Sequence, residues 1–182
     1  MKKKNNTIPL ICLVVIVLAA VGLVKHFDIK DFQTIQDESL YVSGQPRGMD
    51  YTRLLYKYHI ATIVNLRSAD EHRERNWYNE EVTWTRGNGV RLIELPIEKH
   101  GTVQGIPDKA TVAKFLAIMA DPTNLPVLVH GNSAERRVAL LTAAWLLESG
   151  GYDFKQMRDR IQKINSQPIT DEETEYLQSL VR

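Results

Sequence analysis

Cysteine is nearly absent from this chain: a single residue, Cys12, in 182. One thiol excludes an internal disulfide framework and any multi-cysteine zinc or iron–sulfur site. An excess of charge of either sign is missing too, because 23 Lys and Arg face 22 Asp and Glu, a net of +1. Bulk nucleic-acid binding is therefore disfavoured, since it requires a basic footprint. No internal repeat or low-complexity tract is visible, and 43% hydrophobic with 25% charged residues is an ordinary globular composition. Disordered and fibrous architectures are excluded on that ground. The length suits one domain of ordinary size with an appendage.

Long apolar runs are equally scarce, with one exception at the N-terminus. Lys2, Lys3 and Lys4 precede an uncharged stretch over residues 8–24, which closes at Lys25 and His26. A bilayer core takes roughly 17–25 apolar residues in a helix, so the stretch is just long enough to span. The competing reading is a cleaved secretory signal ending at a small-residue site such as Ala20-Val21-Gly22. Ile11 before Cys12 argues against a lipoprotein site. The leading lysines put residues 1–7 in the cytoplasm and the rest outside it, periplasmic in a bacterium, or secreted if a signal is cleaved. Without those three lysines the remainder holds 20 basic against 22 acidic residues, a net of −2. Residues 25–39 read as a juxtamembrane connector, and residues 40–182 as the globular domain.

Within that domain strand and helix signals alternate. Leu40-Tyr41-Val42 is a short strand stopped by Ser43-Gly44-Gln45-Pro46. Residues 51–59 form an amphipathic helix capped by Asp50. Residues 61–66 make a β-branched buried strand, and 67–86 a charged, mostly exposed helix that Gly87-Asn88-Gly89 breaks. Residues 90–95 supply another strand. A longer loop leads to Pro107, a good first-turn residue for the next helix. Pro126-Val127-Leu128-Val129-His130 is an apolar strand that runs almost directly into a helix over 138–147. Two further helices follow, over 154–164 and then from the capping box Thr170-Asp171-Glu172-Glu173. The pattern predicts an α/β domain whose central sheet is mostly parallel and flanked by helices.

The chemistry concentrates at residues 130–137, where a buried strand ends in a short polar loop that opens a helix. Loop amides and a helix N-terminus form a ready anion cradle, and Arg136 and Arg137 offer planar forks of donors suited to phosphate. The bland reading is a turn with two surface arginines. Val127-Leu128-Val129-His130-Gly131-Asn132-Ser133-Ala134-Glu135-Arg136-Arg137 resembles the signature loop of cysteine-dependent dual-specificity and tyrosine phosphatases: strand, His, Cys, five residues, Arg. Ser43-Gly44-Gln45-Pro46, Ile63-Val64-Asn65-Leu66-Arg67 and Gly89 through Leu95-Pro96-Ile97 agree in order with the small bacterial members.

The resemblance implies that fold, a phosphate held by residues 132–137, and either Arg137 or, in a related register, Arg136 as the ligand. It also implies a thiolate nucleophile and a general acid. Here the nucleophile position is Gly131, Ala134 stands where a glycine is usual, and Val138 where a hydroxyl is usual. The acid would fall near Gly101, with Glu98, His100 and Asp108 as nearby candidates. Ser133 is a poor replacement nucleophile, His130 reads as structural, and Arg67 either lines the same mouth or pairs with Glu71. Trp77 and Trp84 read as packing. The expectation is a membrane-tethered domain that binds a phosphorylated protein or small phosphate ester, with turnover impaired. It needs no cofactor or metal. Two rivals stay open: a working phosphatase whose native loop carries cysteine at 131, and a non-catalytic interaction module. A rhodanese-type sulfurtransferase fits the upstream segments less well.

Overall fold

The computed structural model describes residues 10–17, 28–73, 75–98, 105–149 and 151–180. Five strands form one mixed sheet in the order β1-β2-β5-β3-β4, with β1 Gln33–Gln36, β2 Leu40–Ser43, β3 Thr62–Asn65, β4 Arg91–Glu94 and β5 Val127–His130. β2, β5, β3 and β4 run parallel, and β1 closes the β2 edge antiparallel. The central strand β5 is buried along its whole length, as a parallel strand covered on both faces must be, hence its unbroken apolar run.

Alternation along the strands separates two cores. Val127 and Val129 join Leu40, Val42 and Val64 on one face, while Leu128 joins Tyr41 and Ile63 on the other. The first face is covered by α5 (Lys109–Ala120), α6 (Arg137–Glu148), α7 (Phe154–Ile164) and α8 (Asp171–Ser179), through Phe115, Leu141, Met157 and Leu177 among others. The second carries α2 (Met49–Tyr56) and α4 (Asn76–Asn88), through Tyr51, Leu54 and Trp84. α6 is buried from Arg137 to Leu146, which explains why its sequence shows little polar face. The capping box at Thr170 and Glu173 opens α8 as the sequence predicts.

Several boundaries differ from expectation. The sheet reaches back beyond Leu40: β1 lies in the segment read as a connector, where Gln33, Thr34 and Gln36 pair with Val42, Tyr41 and Leu40. Its polar sequence hides it, because an edge strand has little apolar surface to bury. The sheet is mostly parallel, as the sequence predicts, and β1 is its one antiparallel strand among the described residues. The single helix expected over 67–86 is two, α3 (Ala69–His72) and α4. α4 passes through Gly87 and Asn88 and stops at Gly89, which takes the left-handed conformation (φ 68°) that favours glycine at a helix end. Asp50 does not cap α2 but lies inside it, accepting from the Arg47 amide. Pro107 lies just ahead of α5 rather than in its first turn, and Asp108 caps the helix.

Ahead of the sheet, residues 10–17 form a short helix, α1, whose apolar side chains and Cys12 are exposed. The other residues of the 8–24 stretch lie outside the described residues. Among the described residues no helix is long and apolar enough to cross a membrane.

Candidate phosphate-binding loop

In the parallel register Ser43 and Asn65 both stand opposite His130, and Asn65 opposite Glu94. The carboxyl ends of four strands therefore converge beside the loop 131–136, the usual place for a ligand site in a parallel sheet. Among the described residues, the backbone N–H groups of Asn132, Ser133, Ala134 and Glu135 donate to no protein acceptor. Four successive donors without a protein acceptor next to a helix N-terminus are the kind of feature that can bind an anion.

The two arginines point in opposite directions. Arg137 is buried, and its Nη1 donates to Leu66 O (3.0 Å), Ile97 O (3.1 Å) and Glu71 Oε2 (2.7 Å). Its Nη2 donates to Glu71 Oε1 at 3.2 Å and lies 3.9 Å from where a Cβ on Gly131 would stand. Arg136 instead turns outward. Its backbone takes φ 42°, its N–H donates to Asn165 Oδ1 (2.7 Å), and its Nε donates to Glu173 Oε1 (2.6 Å). Glu135 is joined to the Ser166 hydroxyl, so the turn between α7 and α8 braces the outer wall of the loop.

The remaining loop positions have distinct surroundings. A Cβ on Gly131 would meet Ser133 O at 3.0 Å and Val138 Cγ2 at 3.5 Å, so a side chain here faces Arg137 across a tight space. Ala134 and Val138 are fully buried in the larger core. Asn132 is exposed, and its carbonyl accepts from Lys30 Nζ at 2.8 Å. Ser133 is half-buried. Lys30 precedes β1, and its reach across 102 positions follows no local pattern.

Of the three acid candidates, two lie among the described residues. Glu98 is exposed, and its carbonyl accepts from Gly105 N at 3.0 Å. Gly105 has φ 79°, and a Cβ there would stand 3.2 Å from Arg137 Cγ, so this end of the loop runs close over the arginine. His100 lies outside the described residues. Asp108 is exposed and spends its carboxylate on Thr111 N (2.6 Å); the Thr111 hydrogen bonds hold its carboxyl below the usual aspartate range. An ionised cap is poorly placed to hand over a proton at neutral pH. Among the described residues no group of three or more His, Cys, Asp or Glu could hold a metal ion.

Beneath the loop sits a residue that sequence reading missed. Glu81 of α4 is fully buried, and its carboxylate accepts from Asn65 Nδ2 (2.7 Å), Gln45 Nε2 (3.2 Å) and Tyr51 OH (3.4 Å). His130 Nε2 lies 3.0 Å from Glu81 Oε1. Burial alone would push the Glu81 carboxyl up, but His130, Asn65 and Gln45 outweigh it and hold it below the usual glutamate range. A signal did exist: Trp77, Tyr78, Glu81, Trp84 and Thr85 fall at helical spacing on one stripe, so Glu81 shares the inward face. Trp84 stacks on Tyr51 with 5.0 Å between ring centres, and the Arg67 guanidinium covers Trp77 at 3.8 Å. Both tryptophans are packing residues. Arg67 pairs with Glu71 (Nε–Oε1 3.4 Å), the partner the sequence reading named.

Comparison with known proteins places this arrangement. The catalytic core of the PP-IP phosphatase Siw14 from S. cerevisiae, solved with citrate, superposes with a TM-score of 0.69 at 18% identity, over 84% of this chain and 86% of that one. PTPMT1 gives 0.67 at 20% identity, over 82% and 93%, and TpbA of P. aeruginosa 0.62 at 19%, over 82% and 84%. At such identities the likeness is one of fold. The tyrosine-protein phosphatase-like protein OCA2 of Saccharomyces cerevisiae is 25% identical over 105 residues, 58% of this chain and 49% of that protein, so the chain spans about half of its length. The profile of the DSP-PTPase phosphatase fused to NAD+ kinase matches residues 17–178. The chain belongs to that dual-specificity, protein-tyrosine-phosphatase-like family.

Proposed function

We propose that this chain is a phosphatase-like domain that grips a phosphate monoester, on a phosphorylated protein or a small molecule, without hydrolysing it. The observation that carries the reading is the loop after β5. It offers four free amides and one guanidinium edge, Arg137 Nη2, to a position where Gly131 supplies no nucleophile. In a working member a thiolate attacks phosphorus, and a phosphocysteine is later released by water. Neither step is possible from Gly131, and Ser133 has no base within hydrogen-bond reach among the described residues. A phosphate dianion entering the loop meets the amides and Arg137 with no thiolate charge to oppose it; the carboxylates of Glu71, held on Arg137, and Glu135, held on Ser166, are the charges those donors must outweigh.

Arg137 is the ligand in this reading because of where it lies: Nη2 is 3.9 Å from where a Cβ on Gly131 would stand, even with the guanidinium held by Glu71, whereas Arg136 turns outward to Glu173. The apolar stretch over residues 8–24 supports a membrane tether that leaves the domain on the far side of the bilayer from the leading lysines. The test is hydrolysis of p-nitrophenyl phosphate by the full chain. The rate should equal that of an Arg137→Ala variant; turnover well above that variant would overturn the proposal. Gly131→Cys then reports on the scaffold, since turnover gained on this one change means the rest of the loop is competent.

A further inference from the structure

Glu81 is a buried carboxylate with no part in gripping a ligand, yet three of the four side chains it touches, His130, Asn65 and Gln45, lead to the loop. Two routes leave it. The first is direct: His130 Nε2 stands 3.0 Å from Oε1, and His130 is the residue immediately before Gly131. The second runs through two side-chain amides that each use both ends. Asn65 donates through Nδ2 to Glu81 (2.7 Å) and accepts the Arg67 amide on Oδ1 (2.9 Å). Gln45 donates through Nε2 to Glu81 (3.2 Å) and accepts Arg67 Nη1 on Oε1 (3.3 Å). A carboxylate fixes which end of each amide faces it, because it can only accept. The oxygens are thereby turned toward Arg67. Arg67 in turn pairs with Glu71, and Glu71 takes both guanidinium nitrogens of Arg137 at 2.7 and 3.2 Å.

The result is a line of alternating charge, Glu81, Arg67, Glu71, Arg137, threaded through the carboxyl ends of β2, β3 and β5. The Asn65–Glu81 and Glu71–Arg137 links are short hydrogen bonds to a charged group, and the Arg67–Glu71 link between them is an ion pair at 3.4 Å, so each partner restrains the next. We infer that Glu81 is a positioning residue: it sets the start of the loop through His130 and the aim of Arg137 through Arg67 and Glu71. It never touches the ligand. The inference rests on the anion-binding reading of the loop for its functional meaning, but its structural content can be tested without a ligand.

The experiment compares the full chain with Glu81→Gln, which keeps the shape and removes the charge, and with Thr85→Ala as a control. Thr85 is buried one turn along α4, and its hydroxyl bonds only to carbonyls of its own helix. Amide resonances of residues 131–135 are recorded by 1H–15N NMR, and tungstate affinity is measured by calorimetry on the same samples. Glu81→Gln should shift those resonances and weaken tungstate binding about tenfold, the worth of one hydrogen bond to a charged group. Thr85→Ala should lower thermal stability and move neither readout. Superimposable resonances for Glu81→Gln, or equal shifts in the control, would overturn the inference. If the unaltered chain takes up no tungstate, the anion-binding reading fails on its own, and the spectra still decide the role of Glu81. If Glu81→Gln does not fold, Gln45→Met, which cuts one relay and keeps the volume, is read by the same criteria.

Discussion

Arg136 and Arg137 are adjacent and chemically identical, and the backbone alone separates their uses. The positive φ of Arg136 swings its side chain toward Glu173, so the next residue starts α6 with its guanidinium directed inward. The sequence left the two open because spacing counts residues and does not report the direction of a side chain. Glu81 was hidden for a different reason: a carboxylate at an inward position breaks the hydrophobic pattern that reveals helix faces. Its burial has a consequence in acid. The folded carboxyl is held below the ordinary glutamate range, so its contribution is fully present above about pH 4.3 and is lost as the pH falls through the lower folded value. Glu81→Gln should cost about 2 kcal/mol at neutral pH, the worth of buried hydrogen bonds to a charged group. Urea unfolding of both proteins should show that gap narrowing as the pH falls below the ordinary glutamate value of about 4.3. A gap that stays constant or widens on acidification contradicts the assignment.

At the scale of elements, β1 does more than its four polar residues advertise. It covers the outer edge of β2, and Phe32 just before it stacks on Tyr41 at 5.8 Å and meets Tyr58 at a tilt, 4.4 Å between ring centres. Arg160 of α7 donates to Thr34 O at 2.6 Å, and Lys30 reaches the Asn132 carbonyl. A chain begun at residue 40 should therefore expose the β2 edge and fold poorly, whereas one begun at residue 28 should match the full chain. Soluble yield and melting temperature measure this; equal melting temperatures for the two truncations would show that β1 is dispensable. The remaining elements were legible because their patterns are strong. β5 is an unbroken apolar run, α7 spans the predicted residues, and the capping box at Thr170 opens α8. Edge strand β1 and the break between α3 and α4 were not, because each lies in a polar stretch whose structure is set by distant partners rather than by its own composition.

At the scale of the whole molecule, two cores on opposite faces of one sheet leave the carboxyl ends of the parallel strands as the place where unsatisfied donors gather. That arrangement follows from the alternation of strands and helices, which the sequence displays plainly; the braces that shape the loop, Lys30, Glu71, Glu81, Asn165 and Glu173, come from five separate segments and only the fold assembles them. The account stands or falls on whether the loop takes a tetrahedral oxyanion through Arg137. The most direct measurement is the melting temperature of the full chain, of Arg136→Ala and of Arg137→Ala, each with and without tungstate. At a concentration near a hundred times its dissociation constant, a ligand of the folded state adds about 2.7 kcal/mol, or roughly 5–10 °C for a chain of this size. The unaltered chain and Arg136→Ala should both rise by that amount, and Arg137→Ala should not move. No rise in the unaltered chain, or an equal rise in Arg137→Ala, would contradict the account.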